Sequence, residues 1–168
     1  MWASKFLPKW PRESVAALGL CLAFGAHAEE RDAAPLQVWL SPGIYSAHFD
    51  QSKGLRNGNP GLSAEVAWAE DHSVVAGTYI NSNSARTRYA AYGWRPLHWE
   101  LGGWRMGAGV ALGAFDGYPR YRNGGWFIAP LPLLSVEGER LGVNLSLIPT
   151  IRDRLDGAVA FQFKIRLR

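Results

Sequence analysis

The chain has 168 residues, with 18 Lys and Arg against 14 Asp and Glu and a net charge of +4. That length holds one domain and leaves no room for a second core. The basic residues fall singly (Lys53, Arg56, Arg120, Arg122, Arg152, Arg154), with no basic helix or stripe of the kind that tracks nucleic acid.

In chain order, residues 1–28 read as a secretory signal peptide. Lys5, Lys9 and Arg12 form a positive region, Val15 to Phe24 is a short apolar run, and Ala26-His27-Ala28 is a small-residue cleavage site. A membrane helix needs roughly 20 apolar residues, and this run stops short. The single cysteine, Cys21, lies within it, with Leu20 where a lipoprotein signal needs a small residue, so the mature chain 29–168 is expected to carry no disulfide. For an exported protein, a phosphorylated lipid surface is the fitting anionic partner.

After a polar lead from Glu29 to Pro35, no segment sustains a helical period, whereas alternation with a period of two recurs. In the C-terminal run, Val159, Phe161, Phe163, Ile165 and Leu167 fall on one face and Gln162, Lys164 and Arg166 on the other. Eight strands are expected, over about 36–49, 61–69, 73–82, 86–97, 100–115, 126–136, 141–149 and 157–167. Short turns alternate with longer loops rich in charge and glycine. An export signal, an even number of strands near ten residues, and that loop asymmetry predict an all-β fold: an eight-stranded antiparallel up-and-down outer-membrane barrel, monomeric. Eight tryptophans and six tyrosines suit interfacial girdles. A soluble barrel of the lipocalin kind is the competing fold. The chain ends in Leu167-Arg168, without the terminal aromatic usual in outer-membrane barrels.

"MGAGVALGAF" has the glycines of a dinucleotide loop but no following helical pattern, so it reads as small residues lining one face of a strand. His48, His72 and His98 lack the paired spacing of zinc ligands, and neither metal nor cofactor is expected. His72 and His98 are expected in short turns. His48 stands where the first strand reaches the long-loop end. Asn81 and Ser82 close the third strand, which runs the same way, so the three are expected at one mouth. A histidine, a hydroxyl and a hydrogen-bonding partner at one rim suit acyl transfer. A serine in a turn also serves for plain local hydrogen bonding.

From about Leu40 to Phe163 the chain resembles the outer-membrane lipid A palmitoyltransferase (PagP) family. "SPGI" (Ser41–Ile44) resembles the proline-broken first strand before that family's essential histidine, and "NGNP" (Asn57–Pro60) its Asn-x-x-Pro closing the first outer loop. "NSNSARTRYAAYGW" (Asn81–Trp94) is similar to its Asp-Ser pair followed, at the same spacing, by Tyr-Gly-Trp. "LPLLSV" and "LSLIPT" resemble its sixth and seventh strands, whose prolines weaken pairing and open a lateral path for lipid. The resemblance implies a phospholipid palmitoyl donor and lipid A as acceptor. It implies Ser82 and His48 as catalytic residues with Asn81 as orienter, Gly93 as the floor of the acyl pocket, and outer-loop arginines such as Arg152 and Arg154 on lipid phosphates.

Two departures stand against these matches. Asn81 replaces an aspartate and carries no charge to stabilise an imidazolium. Without a gap, the histidine position falls on Ala47, and a one-residue slip sends His48 to the opposite face unless a bulge near Gly43 restores it. The family's N-terminal amphipathic helix has no counterpart in the short lead. The reading leans to an enzyme, the alternative being a non-catalytic outer-membrane barrel of the same fold, lipid-binding or structural.

Overall fold

The computed structural model describes residues 35–152 and 154–167. The expected signal peptide lies outside them. Eight strands follow in order: β1 (Gln37–His48), β2 (Gly58–Trp68), β3 (His72–Ile80), β4 (Arg86–Leu101), β5 (Trp104–Phe115), β6 (Phe127–Glu137), β7 (Leu141–Ile148) and β8 (Ala158–Arg166). Each pairs antiparallel with the next, and β8 closes on β1. This is the expected eight-stranded up-and-down barrel, with three turns of two or three residues at one end (the turn end) and four longer connections at the other (the loop end).

The alternation seen in the sequence becomes inside and outside, but inverted relative to a water-soluble barrel. Leu62, Val74, Leu112, Ile128, Phe163 and Ile165 stand exposed on the outer face. The buried side chains include Ser63, Glu65, Arg95, Asn144 and Lys164. A lipocalin-like barrel would place these sets the other way round, because water rewards a polar exterior. Outer-membrane barrels carry an apolar outer band and a polar interior, so the fold is consistent with that location. Near the turn end the outer face carries Trp68, Tyr92, Trp94, Trp99 and Trp104, all partly exposed.

The β4–β5 hairpin departs from the expected boundaries. β4 runs on to Leu101 and the turn is Gly102-Gly103, both with positive φ (57° and 81°), as the twist-matched two-residue hairpin requires. Pro96 is accommodated at a register shift between Trp94 and Leu97 rather than ending the strand. His98 therefore lies within β4 opposite Gly107, not in a turn. His72 opens β3, and its Nδ1 lies 2.6 Å from the Tyr92 hydroxyl on the outer face.

The interior of the turn-end half is filled by charge. Lys164 Nζ reaches Glu65 at 3.0 Å and Glu137 at 2.7 Å, Arg95 reaches Glu137 at 3.2 Å, and Arg105 takes its other oxygen at 3.2 Å. Lys164 and Arg166 both stack on the fully buried Trp39 ring, at 4.6 and 4.5 Å from its centre. Charges this deep persist only when paired, and here the side chains of Lys164, Arg95, Glu65 and Glu137 are 1–7% exposed. They stopper the barrel at that end.

Three seams in the ladder are interrupted. β6 pairs with β7 only from Leu133 to Glu137, so the loop-end part of β6, which holds Pro130 and Pro132, has no β7 partner. β1 shifts register against β2 between Ser41 and Gly43, and against β8 it carries one extra residue between Leu40 and Tyr45. Proline has no N–H to donate, and strand prolines stand at each interruption: Pro42 is unpaired on both sides, Pro60 stands at the β1–β2 shift, and Pro130 and Pro132 lack a β7 partner.

Candidate functional site

Above the ion cluster the barrel holds a cavity of about 900 Å³, a figure that includes the space of its open mouth. His48, Ser82 and Tyr118 line its loop-end part, and Gly93, Ser73 and Glu65 also border it. A second space of about 510 Å³ shares Tyr79, Tyr118, Leu131 and Ile148 with it and extends to Pro149, Ile151 and Leu155, beside the unpaired part of β6. The cavity thus continues sideways toward the β6–β7 seam.

His48 reaches this cavity because of the bulge. Gly43 has φ 146°, a conformation that side-chain-bearing residues rarely adopt. The Ser41 hydroxyl donates to the Gly43 carbonyl at 2.9 Å and clasps the irregularity. One residue is thereby absorbed, and beyond it Ile44, Ser46 and His48 point inward while Tyr45 and Ala47 point outward. The slip anticipated between Ala47 and His48 is compensated within the strand. His48 is 8% exposed, and its Nδ1 lies 2.9 Å from Asn57 Oδ1, which leaves Nε2 as the ring nitrogen free for chemistry.

Ser82 lies in the β3–β4 turn, with its carbonyl accepting from the Arg56 N–H at 3.3 Å and its side chain on the cavity. No hydrogen bond joins it to His48 among the described residues. Asn81 is fully buried and committed elsewhere. Its Nδ2 donates to Thr87 Oγ1 at 3.0 Å and to the Gly117 carbonyl at 2.8 Å, while Oδ1 accepts from the Asn83 and Ala85 N–H groups at 2.9 and 3.1 Å. The amide therefore ties the β3–β4 turn to the β5–β6 loop. The partner of His48 is Asn57.

Gly93 lies on the cavity wall, where a Cβ would come 2.8 Å from Ser73 Oγ and 3.2 Å from Leu133 Cδ2. Arg152 and Arg154 are exposed on the β7–β8 loop and do not line the cavity. Sequence reasoning brought His48, Ser82 and Gly93 to one cavity. It missed Asn57 as a histidine partner, although the Asn57–Pro60 motif was in view, and it missed Tyr79 and Tyr118, whose hydroxyls meet at 2.7 Å between β3 and the β5–β6 loop. Burial raises the pKa of the Tyr118 hydroxyl and outweighs the hydrogen bond from Tyr79, which lowers it, so the group stays protonated at neutral pH.

Ion pairs fasten the loops around the mouth. Asp156 takes Lys53 at 2.6 Å and Arg120 at 2.5 Å, joining three connections. The Lys53 hydrogen bond, with the Arg120 charge behind it, holds the Asp156 carboxyl below the usual carboxylate range. Burial alone would raise Asp116, but backbone and side-chain hydrogen bonds from Arg88 outweigh it and hold that carboxyl low as well.

No family model matches the chain, and no curated protein matches it. The likeness to lipid A palmitoyltransferases rests on the ordered motifs alone.

Proposed function

We propose that this chain is an outer-membrane barrel that draws an acyl chain into its loop-end cavity and transfers a palmitoyl group from a phospholipid to lipid A. The observation that carries the reading is the meeting of an inward His48, Ser82 and Gly93 on one cavity that continues sideways to a broken strand seam. His48 Nε2 takes the proton of the attacking acceptor hydroxyl as its oxygen bonds to the acyl carbon. The donor ester C–O bond then breaks, and the proton passes to the departing lysophospholipid oxygen. Ser82 directs its hydroxyl at the carbonyl, Asn57 holds the ring through Nδ1, and Asn81 acts by fixing the turn that presents Ser82. Arg152 and Arg154, exposed on the outer loop, hold lipid phosphates.

A second reading is favoured by one observation: Ser82 and His48 are not hydrogen bonded, and Asn81 has no group left to orient either. On that reading the barrel binds lipid without chemistry. Mass spectrometry of lipid A decides between them, using an outer-membrane host lacking its own palmitoyltransferase, with and without this protein. A species heavier by one palmitoyl chain, absent with Ser82→Ala, is expected. Unchanged lipid A with the folded barrel present in the outer membrane selects the non-catalytic reading.

A further inference from the structure

The cavity wall has two sides of different chemistry. On the strands from β3 to β6 it is built by Val75, Ala111, Leu131 and Leu133, among other apolar side chains. On β1, β2, β7 and β8 the polar Ser46, Asn59, Asn144, Ser146 and Gln162 stand among the apolar Ile44, Ile148 and Ala160. A plain hydrocarbon suits the first side and leaves hydrogen-bonding groups unanswered on the second.

Most of those polar groups already have partners. Gln162 Nε2 donates to Ser63 Oγ at 2.9 Å and Tyr89 Oη at 2.7 Å, and Asn144 Nδ2 donates to Glu65 at 2.7 Å. Asn59 Nδ2 donates to Ser46 Oγ at 2.8 Å, which leaves the Ser46 hydroxyl its own proton to give. Ser146 Oγ has no hydrogen-bond partner among the described residues, although its side chain points inward. Asn59 Oδ1 and Asn144 Oδ1 also lack partners but are fully buried, whereas these two serines carry hydroxyls with a proton free to give.

Their positions coincide. Ser46 on β1 and Ser146 on β7 both lie opposite Ala160 of β8, so the three form one inward row with the smallest side chain in the middle. The row toward the mouth is His48, Ala158 and Ile148. Two residues of strand, at about 3.3 Å each and tilted by about 40°, set the serine row about 5 Å below His48. An acyl chain with its carbonyl at His48 brings a carbon only a few bonds away to that depth. Both serines donate and accept, as an alcohol does, whereas the nearest carboxylate, Glu65, is already held by Lys164.

We propose that this cavity, while admitting a plain palmitoyl chain, prefers an acyl chain with a hydroxyl a few carbons from its carbonyl, seated in the notch that Ser46 and Ser146 form beside Ala160. This rests on the reading of the cavity as an acyl site and names the chain it prefers. The test is calorimetric titration of the purified full barrel in detergent micelles with palmitic acid and with 3-hydroxypalmitic acid. The hydroxylated acid is expected to bind about tenfold more tightly, the worth of one or two good hydrogen bonds. In the Ser46→Ala, Ser146→Ala double variant the preference for the hydroxylated acid over palmitic acid is expected to fall to about twofold or less. Equal binding of the two acids by the unaltered protein, or a preference that survives the double variant, overturns the proposal and leaves the acyl site standing. Binding of neither acid overturns both. The comparison on the unaltered barrel does not depend on the variant folding.

Discussion

The amide of Asn81 has both of its ends committed, and that decides which residue the position tolerates. Replacing it with aspartate keeps an acceptor for the Asn83 and Ala85 N–H groups but removes the donor to Thr87 and to the Gly117 carbonyl. It also sets a charge where nothing is exposed. Asn81→Asp should therefore destabilise the barrel by about 1–3 kcal/mol, read from its urea unfolding in detergent, and should not raise activity. An active, equally stable aspartate variant would show that the turn does not need the amide. At Gly93 the space a side chain would take is already bordered by Ser73 and Leu133. Gly93→Met should shift acyl-donor preference toward shorter chains, measured with phospholipids of graded chain length; unchanged selectivity would remove Gly93 from the pocket floor. His48, Ser82 and Gly93 could be singled out in the sequence because their residue types and strand positions carry information. Asn57 could not, since its contact with His48 depends on how the 49–57 loop folds back, and no spacing rule encodes that.

Strand β1 shows how an element can hold a residue in register against its own periodicity. Counting by twos from the turn end places His48 outside the barrel, and only the extra residue at Gly43 brings it in. Deleting Gly43 should rotate His48 into the outer face, so that any transfer activity is lost while the barrel still assembles, as seen by its heat-modifiable migration on gels. Retained activity would mean that His48 has no part in it. Alternation was enough to find the eight strands, because each has one wet and one dry face. The ends were less legible: Pro60, just before the expected strand, lies inside β2 at a register shift, and β4 continues past its expected end at residue 97 to Leu101. Pro130 and Pro132 remain in β6 because β5 pairs with them and the β7 side does not.

For the molecule as a whole, polarity is turned inside out, and the interior depends on mutual neutralisation. Glu137 faces the buried Lys164 and Arg95 and the partly exposed Arg105, so Glu137→Gln leaves two buried cations with too little opposing charge. A loss of about 3–5 kcal/mol is expected in equilibrium unfolding, and a loss under about 1 kcal/mol would mean that water reaches the cluster. The outer loops respond to pH in a definite direction. Asp116 and Asp156 are held below their ordinary value of 3.8 in the folded chain, so their contribution is complete at neutral pH and is lost as pH falls through those lower values. Protease cleavage in the loops should be constant from pH 7 to 5 and rise below about pH 4. The stopper of buried charge has an electrical corollary. A tube sealed across half its length by paired ions is an insulator, and everything it handles must arrive and depart on one side or through the wall. A planar bilayer carrying many copies should pass no more current than bare lipid.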